Sequence, residues 1–431
     1  MHKDSDEKEY KLMNRRDIEI MAPAGSWEAL VAAKQGGADS VYFGVEQLNM
    51  RAASSGNFTS GDLHKIVGWC RENGLKSYLT VNVVVYDNEI MQMKEIVDTA
   101  SDAGISAIIA SDQSVINYAY SKGVEVHLST QLNISNFDTV KFYSQWADVA
   151  VLARELNLEQ VKHIHDSIVS NDLRGPKGEL IRLEMFAHGA LCMAISGKCY
   201  LSLHEYGKSA NRGECYQICR RSYVVTDRET GYELGIDNEY IMSPKDLCTI
   251  SFLDEIINAG VRVLKIEGRA RSAEYVKVVA SCYSEAVSAL ADGSFTSEKT
   301  DEWTARLSTV FNRGFWDGYY LGRKMGEWTG RYGSSATKRK VYLGKVTNYF
   351  SKIGVAEIRL ENGDLEKGDH LLITGPTTGV AELTIDEIRV DLKQAEKANK
   401  GEFCSVPCDM PLRRSDKVFK WVDAERGRNK K

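Results

Sequence analysis

Along residues 18–270, short apolar runs alternate with stretches whose apolar positions recur at helical spacing. The runs at 18–22, 40–44, 77–82, 106–110, 124–128, 149–152, 182–187 and 262–266 read as strands. Helical patterns fill most of the gaps, at 27–35, 61–73, 91–103 and 254–259. Eight strands alternating with helices over about 250 residues are what a (βα)8 barrel requires. A doubly wound open sheet is the competing arrangement, but no strand is followed by a G-x-G-x-x-G turn. The pattern therefore predicts an α/β fold built on a TIM-like barrel.

The regular alternation is broken once, by a long insertion at 188–261 between the seventh and eighth strands, rich in Gly, Cys and polar residues. Loops after strand C-termini build the working face of such a barrel, so an oversized loop there is a functional signal. After the eighth strand, 273–291 and 297–310 read as helices, and Asn312-Arg313-Gly314-Phe315 leads to a linker around 330–336. From Val341 the period changes to two, with strands expected at 341–346, 355–360, 370–374 and 380–387. The turns Glu361-Asn362-Gly363-Asp364 and Lys367-Gly368-Asp369 read as hairpin signals, which predicts a small C-terminal all-β barrel. The expected organisation is a flexible N-terminus at 1–16, a barrel domain at 17–330 with its loop at 188–261, a β-barrel domain at 338–422 and a basic tail at 423–431.

Composition adds a soluble, globular expectation: 43% hydrophobic and 27% charged residues. No apolar run approaches the ~18 residues a membrane helix needs, and the first twenty residues mix both charge signs without an apolar stretch. No membrane contact and a cytoplasmic location are expected. The net charge of −5 is uneven: residues 331–431 hold 20 Lys and Arg against 15 Asp and Glu, while the rest holds 35 against 45. Lys338-Arg339-Lys340, Arg413-Arg414 and the 426–431 terminus could touch phosphates; a solvated surface is the simpler reading.

The cysteines change the picture more. Of nine, five (Cys192, Cys199, Cys215, Cys219 and Cys248) fall within 57 residues of the long loop, while Cys70, Cys282, Cys404 and Cys408 are scattered. In a reducing compartment this points to metal or redox chemistry rather than a disulfide framework. The Cys192–Cys199 spacing is wider than the C-x2–4-C knuckle of structural zinc sites. An iron–sulfur cluster, whose thiolates need only meet in space, fits the spacing; zinc and buried free thiols stay open as alternatives.

The stretch Glu184-Met185-Phe186-Ala187-His188-Gly189-Ala190-Leu191-Cys192, followed by Gly197-Lys198-Cys199-Tyr200-Leu201-Ser202, resembles at every fixed position the signature E-x-F-x-x-G-[SA]-[LM]-C-x4-G-x-C-x-[LIVM]-S of the collagenase-like peptidase family U32. The resemblance extends to Met21-Ala22-Pro23-Ala24-Gly25, Asn49-Met50-Arg51 with Asn57-Phe58, Val151-Leu152-Ala153-Arg154-Glu155-Leu156 and Lys265-Ile266-Glu267-Gly268-Arg269, and so covers essentially the whole chain. Despite the family's name, the resemblance implies nucleobase or quinone-precursor hydroxylation. One member type is required for 5-hydroxyuridine at the tRNA wobble position, with a genetic link to prephenate. Another hydroxylates a cytidine of large ribosomal RNA. The quinone-acting members hold a 4Fe–4S cluster on four cysteines. By that likeness the ligands here are Cys192, Cys199, Cys215 and Cys248, with Cys219 in reserve for the place of Cys215.

Arg51, Arg154 and Arg269 fall after the second, sixth and eighth strands, on the presumed working face. Arginine holds a carboxylate or phosphate in a bidentate fork, and prephenate carries two carboxylates. Arg154, Glu155, Glu267 and Arg269 are therefore the catalytic candidates; salt bridges knitting the rim are the alternative. Arg51, Asn82, Gln131, Asn133 and His188 are substrate-binding candidates, the amides as readers of a base edge or as loop pins. The expected function is iron–sulfur-dependent hydroxylation of a tRNA wobble uridine, with the β module helping to dock the RNA. The alternatives are ribosomal RNA hydroxylation, a peptidase acting on a protein substrate, and a non-enzymatic cluster scaffold. Neither an H-E-x-x-H motif nor a G-x-S-x-G elbow is present to favour proteolysis.

Overall fold

The structure is a computed structural model that describes residues 14–46, 48–52, 58–231, 233–234, 240–323 and 326–424. Most of the expected flexible N-terminus, most of the basic tail and Asn57 of the family pattern lie outside these residues. Eight strands, β1 (Glu19–Pro23), β2 (Ser40–Phe43), β3 (Lys76–Val81), β4 (Ala107–Ala110), β5 (Glu125–Leu128), β6 (Val149–Val151), β7 (Arg182–Ala190) and β8 (Val261–Ile266), pair in parallel in chain order. β8 pairs in parallel with both β7 and β1, so the sheet closes. This is the TIM-like barrel that the alternation predicts, each strand within a few residues of its expected place.

Parallel strands covered by helices are buried on both faces, which is why β1, β2 and β4 are buried along their whole length and read as unbroken runs. Local chemistry sets where the helices begin. Ser26 Oγ accepts a hydrogen bond from the Ala29 amide (3.2 Å) at the start of helix Trp27–Gln35. Asn157 and Gln160 form a reciprocal capping box before Leu158–Ser170.

The barrel interior combines a small apolar cluster, Met21, Tyr42, Tyr78, Ala107, Ile109, Val149 and Val263, with a buried charged network. Glu19 Oε1 accepts from Tyr78 (2.6 Å), and its Oε2 lies 2.7 Å from Lys76 Nζ and 3.2 Å from Arg182 Nη1. Lys265 Nζ donates to Glu184 Oε1 at 2.7 Å. The other Glu184 oxygen stands 3.5 Å from His127 Nδ1, and His127 Nε2 is 3.2 Å from Glu125. Burial alone would raise the pKa of these carboxyls, but their cationic and hydrogen-bonding partners outweigh it. Glu19 and Glu125 are held down to about 2, and Glu184 is also lowered.

Depressed carboxyls contribute stability above their unfolded value near 4.5 and lose it as pH falls toward about 2. His127, whose pKa is raised by Glu125 and Glu184 against the opposing effect of burial, contributes in the other sense: fully below about 6.5, and fading above. The melting temperature is therefore expected to fall steeply between pH 4.5 and 2. A melting temperature flat from pH 5 to 3 would show that the network does not stabilise the barrel.

Helices Ala273–Asp292 and Ser297–Leu307 follow the barrel, close to their expected positions. No helix among the described residues is long and apolar enough to cross a membrane. The C-terminal region is an eight-stranded antiparallel sheet, in the order Gly379–Thr384, His370–Gly375, Lys417–Asp423, Lys338–Phe350, Val355–Leu360, Phe403–Pro407, Ile388–Val390 and Lys393–Ala395. It has a core of its own around Val346, Ile358, Leu371, Ile373, Val406 and Val418.

The turns at 361–364 and 367–369 are not hairpins. Val355–Leu360 pairs with Lys338–Phe350 and Phe403–Pro407, whereas His370–Gly375 pairs with Gly379–Thr384 and Lys417–Asp423. The basic run at 338–340 is partly neutralised: Lys340 Nζ lies 2.9 Å from Glu274 and Lys338 Nζ 3.8 Å from Asp423. The sheet packs on the barrel through Leu372 and Val380, which belong to the barrel's own core cluster. Gln35 fixes this contact, donating to Thr378 O and accepting from the Val380 amide, both at 2.9 Å.

Candidate functional site

At the C-terminal ends of the barrel strands, side chains and the long loop enclose a cavity of about 200 Å³. Arg51 follows β2, Asn82 follows β3, Gln131 follows β5, Arg154 follows β6, and Glu267 and Arg269 follow β8; all six line it. The long loop contributes Cys192, Cys199, Cys215, Cys219 and Arg220. Two glycines make the close packing beneath possible. A Cβ on Gly25 would stand 1.9 Å from Arg269 O, and one on Gly189 (φ +106°) would stand 2.4 Å from Glu267 O.

The cavity is strongly cationic. Arg51, Arg154, Arg220, Lys265, Arg269, Arg271 and Arg313 line it against a single carboxylate, Glu267, among the described residues. Glu267 accepts from Arg51 Nη2 at 2.6 Å and from Tyr42 at 3.2 Å. Burial opposes its ionisation, but Arg51, Arg154 and Arg269 together hold its pKa down to about 2. Arg269 is buried and donates to Asn49 Oδ1 (3.1 Å) and Thr80 Oγ1 (2.8 Å); burial pushes its pKa down to about 10. Arg154 donates to Ala190 O (3.2 Å) and stacks 3.8 Å from the centroid of Phe186, while its buried Nε has no hydrogen-bond partner. Arg51, Lys265 and Arg313 are paired with Glu267, Glu184 and Asp246, whereas Arg154, Arg220 and Arg269 donate to neutral acceptors, and it is these three that leave a demand for an anion.

Several candidates are not in the cavity lining. Glu155, expected to be catalytic, is exposed outside it. Asn133 sits in the left-handed region (φ 53°) and donates to Gln131 O at 2.8 Å, so it pins the loop. His188, expected at the barrel mouth, is buried between β7 and the layer outside it, with Tyr275, Tyr283 and Phe315 rings 6.1, 5.7 and 5.5 Å away. Burial drives its pKa down to about 3, with Arg271 adding to the effect, so it is neutral. Asn82 does line the cavity, but it is tied to the Met50 amide (3.2 Å) and Ser129 (3.1 Å).

Among the cysteines, Cys215 and Cys219 share one cavity. Both line the cavity with Cys192 and Cys199, and Cys219 lies within electrostatic reach of the other three. Cys248 is absent from the lining. It sits on the short strand Asp246–Cys248, which runs antiparallel to the end of β7, and its partly buried thiol meets Tyr283. Lys265, Arg220 and Arg313 stand within noticed motifs but are picked out only by the fold.

No three His, Cys, Asp or Glu side chains among the described residues converge closely enough to hold a single metal ion. Four thiols spread around one cavity suit a cluster better, because each thiolate binds a different iron at the corners of a cube. Cys192, Cys199, Cys215 and Cys219 are thus of the donor type that an iron–sulfur cluster takes, and they line one cavity.

The chain is 59% identical over 413 residues to a collagenase of Porphyromonas gingivalis, covering 96% of this chain and all of that one. It is 31% identical over 366 residues to a tRNA hydroxylation protein of Bacillus subtilis, covering 83% of each. To a 23S rRNA 5-hydroxycytidine synthase of Escherichia coli it is 29% identical over 409 residues, covering 91% of this chain and 57% of that one. The model of Peptidase family U32 matches residues 25–330. A closed barrel, a cysteine-bearing loop over its C-terminal face and these relatives agree: the chain belongs to Peptidase family U32.

Proposed function

We propose that this protein is a cytoplasmic RNA-modifying enzyme that hydroxylates the wobble uridine of tRNA to 5-hydroxyuridine. The observation that carries the reading is one cavity holding seven cations, one carboxylate and four thiols at the face where barrel enzymes work. The relatives named for tRNA and rRNA hydroxylation support an RNA substrate. Replacing a C5 hydrogen by hydroxyl is a two-electron oxidation, so the site must meet an oxygen donor and an electron acceptor. Cys192, Cys199, Cys215 and Cys219 would hold a 4Fe–4S cluster, which supplies one-electron transfer when bound. Arg51, Arg154 and Arg269 would fix a dicarboxylate co-substrate such as prephenate, with Glu267 orienting Arg51, Ala190 O orienting Arg154, and Asn49 and Thr80 orienting Arg269. Gln131 would meet the base, with Asn82 holding the wall behind it through the Met50 amide and Ser129.

A peptidase is the second reading, because a relative 59% identical is named a collagenase. A cysteine protease needs an imidazole beside its thiolate. No histidine lines the cavity among the described residues, His188 is buried elsewhere, and His204 is exposed on helix Leu201–Tyr206. The RNA reading is better supported.

Mass spectrometry of tRNA nucleosides from a deletion strain is expected to find 5-hydroxyuridine lost and restored by the intact gene. Complementation with Arg51→Lys, Arg154→Lys or Arg269→Lys is expected to leave about a tenth or less of the modification, since a point charge cannot replace a planar fork. Rim salt bridges would tolerate lysine, each being worth about 1 kcal/mol or less. Full modification by the Lys variants at normal protein level would remove these arginines from co-substrate binding. Unchanged 5-hydroxyuridine in the deletion strain, with gelatin cleaved by the purified protein, would favour the peptidase.

A further inference from the structure

A second cavity of about 480 Å³ adjoins the first, and the two share Cys215, Gln217, Arg220 and Arg313 as a common wall. Its volume lies in the ~300–1,000 Å³ range of ligand sites. Arg221, Arg331, Tyr216, Tyr332 and Phe311 complete the part that matters, and no carboxylate lines it among the described residues. Two of the four arginines are already paired, Arg313 with Asp246 (3.2 Å) and Arg221 with Glu205 (2.7 Å). Arg220 and Arg331 have only neutral acceptors. Arg220 donates to Ser243 Oγ (3.1 Å), Pro244 O (2.6 Å) and Leu191 O (2.6 Å), and Arg331 donates to Ser335 Oγ (3.0 Å) and Ser334 O (2.5 Å).

Beside these cations stand large aromatic faces that folding has not buried. Tyr332 is 75% exposed and Tyr216 50% exposed. Aromatic rings left open beside two arginines that donate only to neutral acceptors are the two components of a single-stranded nucleic acid site, a stacking surface and a phosphate clamp.

We propose that this second cavity is the subsite for the nucleotide next to the one being modified. The phosphodiester joining the two nucleotides crosses the shared wall at Arg220. The neighbouring base stacks on Tyr332, and Arg331 holds the next phosphate outward. Entry of one nucleotide into the first cavity requires it to leave the stack, and capture of its neighbour holds the strand in that opened form. This subsite rests on the RNA reading above and names how that RNA is gripped.

The test is fluorescence anisotropy with full-length, anaerobically purified protein and a labelled single-stranded pentauridylate across a salt series. Tyr332→Ala is expected to weaken binding about tenfold, the scale of one lost base stack, without changing the salt slope; Tyr332→Phe restores the affinity. Arg331→Ala is expected to make the slope of log K against log salt shallower by about 0.7, the value for one phosphate contact on a single strand. Both side chains are on the surface, so folding is not at risk. If both variants bind like the unaltered chain, the subsite is wrong while the RNA reading stands. If the unaltered chain binds no RNA, or gelatin peptides displace the RNA, the RNA reading falls and the subsite with it.

Discussion

Replacing any one of Cys192, Cys199, Cys215 or Cys219 by alanine is expected to leave anaerobically purified protein colourless, with iron and sulfide lost together. Each thiolate in a four-cysteine cage closes one iron, and an iron left open to solvent is an exit route for the whole cluster. Cys248→Ala is expected to keep its iron, because that thiol faces Tyr283 rather than the cavity. Cys70, Cys282 and Cys404, buried singly, are expected to behave like Cys248. The readout is iron and sulfide per chain with the broad visible absorbance, and it does not depend on activity. Stoichiometric zinc without iron in the unaltered protein would end the cluster reading. Iron loss in Cys248→Ala, with iron retained in Cys219→Ala, would reverse the choice of ligands made from the cavity.

The second large effect concerns folding. Glu184→Gln is expected to destabilise the barrel by ~3–5 kcal/mol, a large share of the whole stability of a typical domain. Glu184 is fully buried, with Lys265 at 2.7 Å and His127 at 3.5 Å, so losing its charge strips the buried Lys265 ammonium of its carboxylate and leaves His127 with Glu125 alone. Pairing Glu184→Leu with Lys265→Met is expected to recover most of the loss, since removing both partners removes the uncompensated charge as well. Urea unfolding of the two variants against the unaltered chain measures the difference. A double variant no more stable than Glu184→Gln would mean that the pair is not coupled. Lys265 also lines the cavity, so the recovered protein is expected to fold without regaining activity.

The barrel was legible because its information is local. A strand buried on both faces, such as Ala107–Ala110, reads as an unbroken apolar run whatever its neighbours are. The arginines after β2, β6 and β8 were legible for the same reason: strand ends in a barrel share one face. What escaped is what depends on contacts between distant segments. Asn362-Gly363 carries correct turn chemistry, yet the strands on either side take other partners. Glu155 adjoins Arg154, but consecutive residues at a strand end point apart, so one lines the cavity and the other meets solvent. Cys248 joins the other thiols by the family likeness alone, and which way a side chain on a short strand faces is not legible in the sequence. Arg220 and Arg313, 93 residues apart, meet only in the folded chain.

The Gln35 contact has a further consequence, for solubility. Gly379–Thr384 is the end strand of its sheet, and an end strand displays unpaired backbone groups on which another chain can add. Here the outward amide of Val380 is taken by Gln35 Oε1, and its carbonyl is met by Lys277 Nζ at 3.4 Å. Two polar side chains from the barrel thus occupy the positions that an incoming strand would need. The contact that holds the two parts of the molecule together thus also guards this edge of the sheet against edge-to-edge pairing.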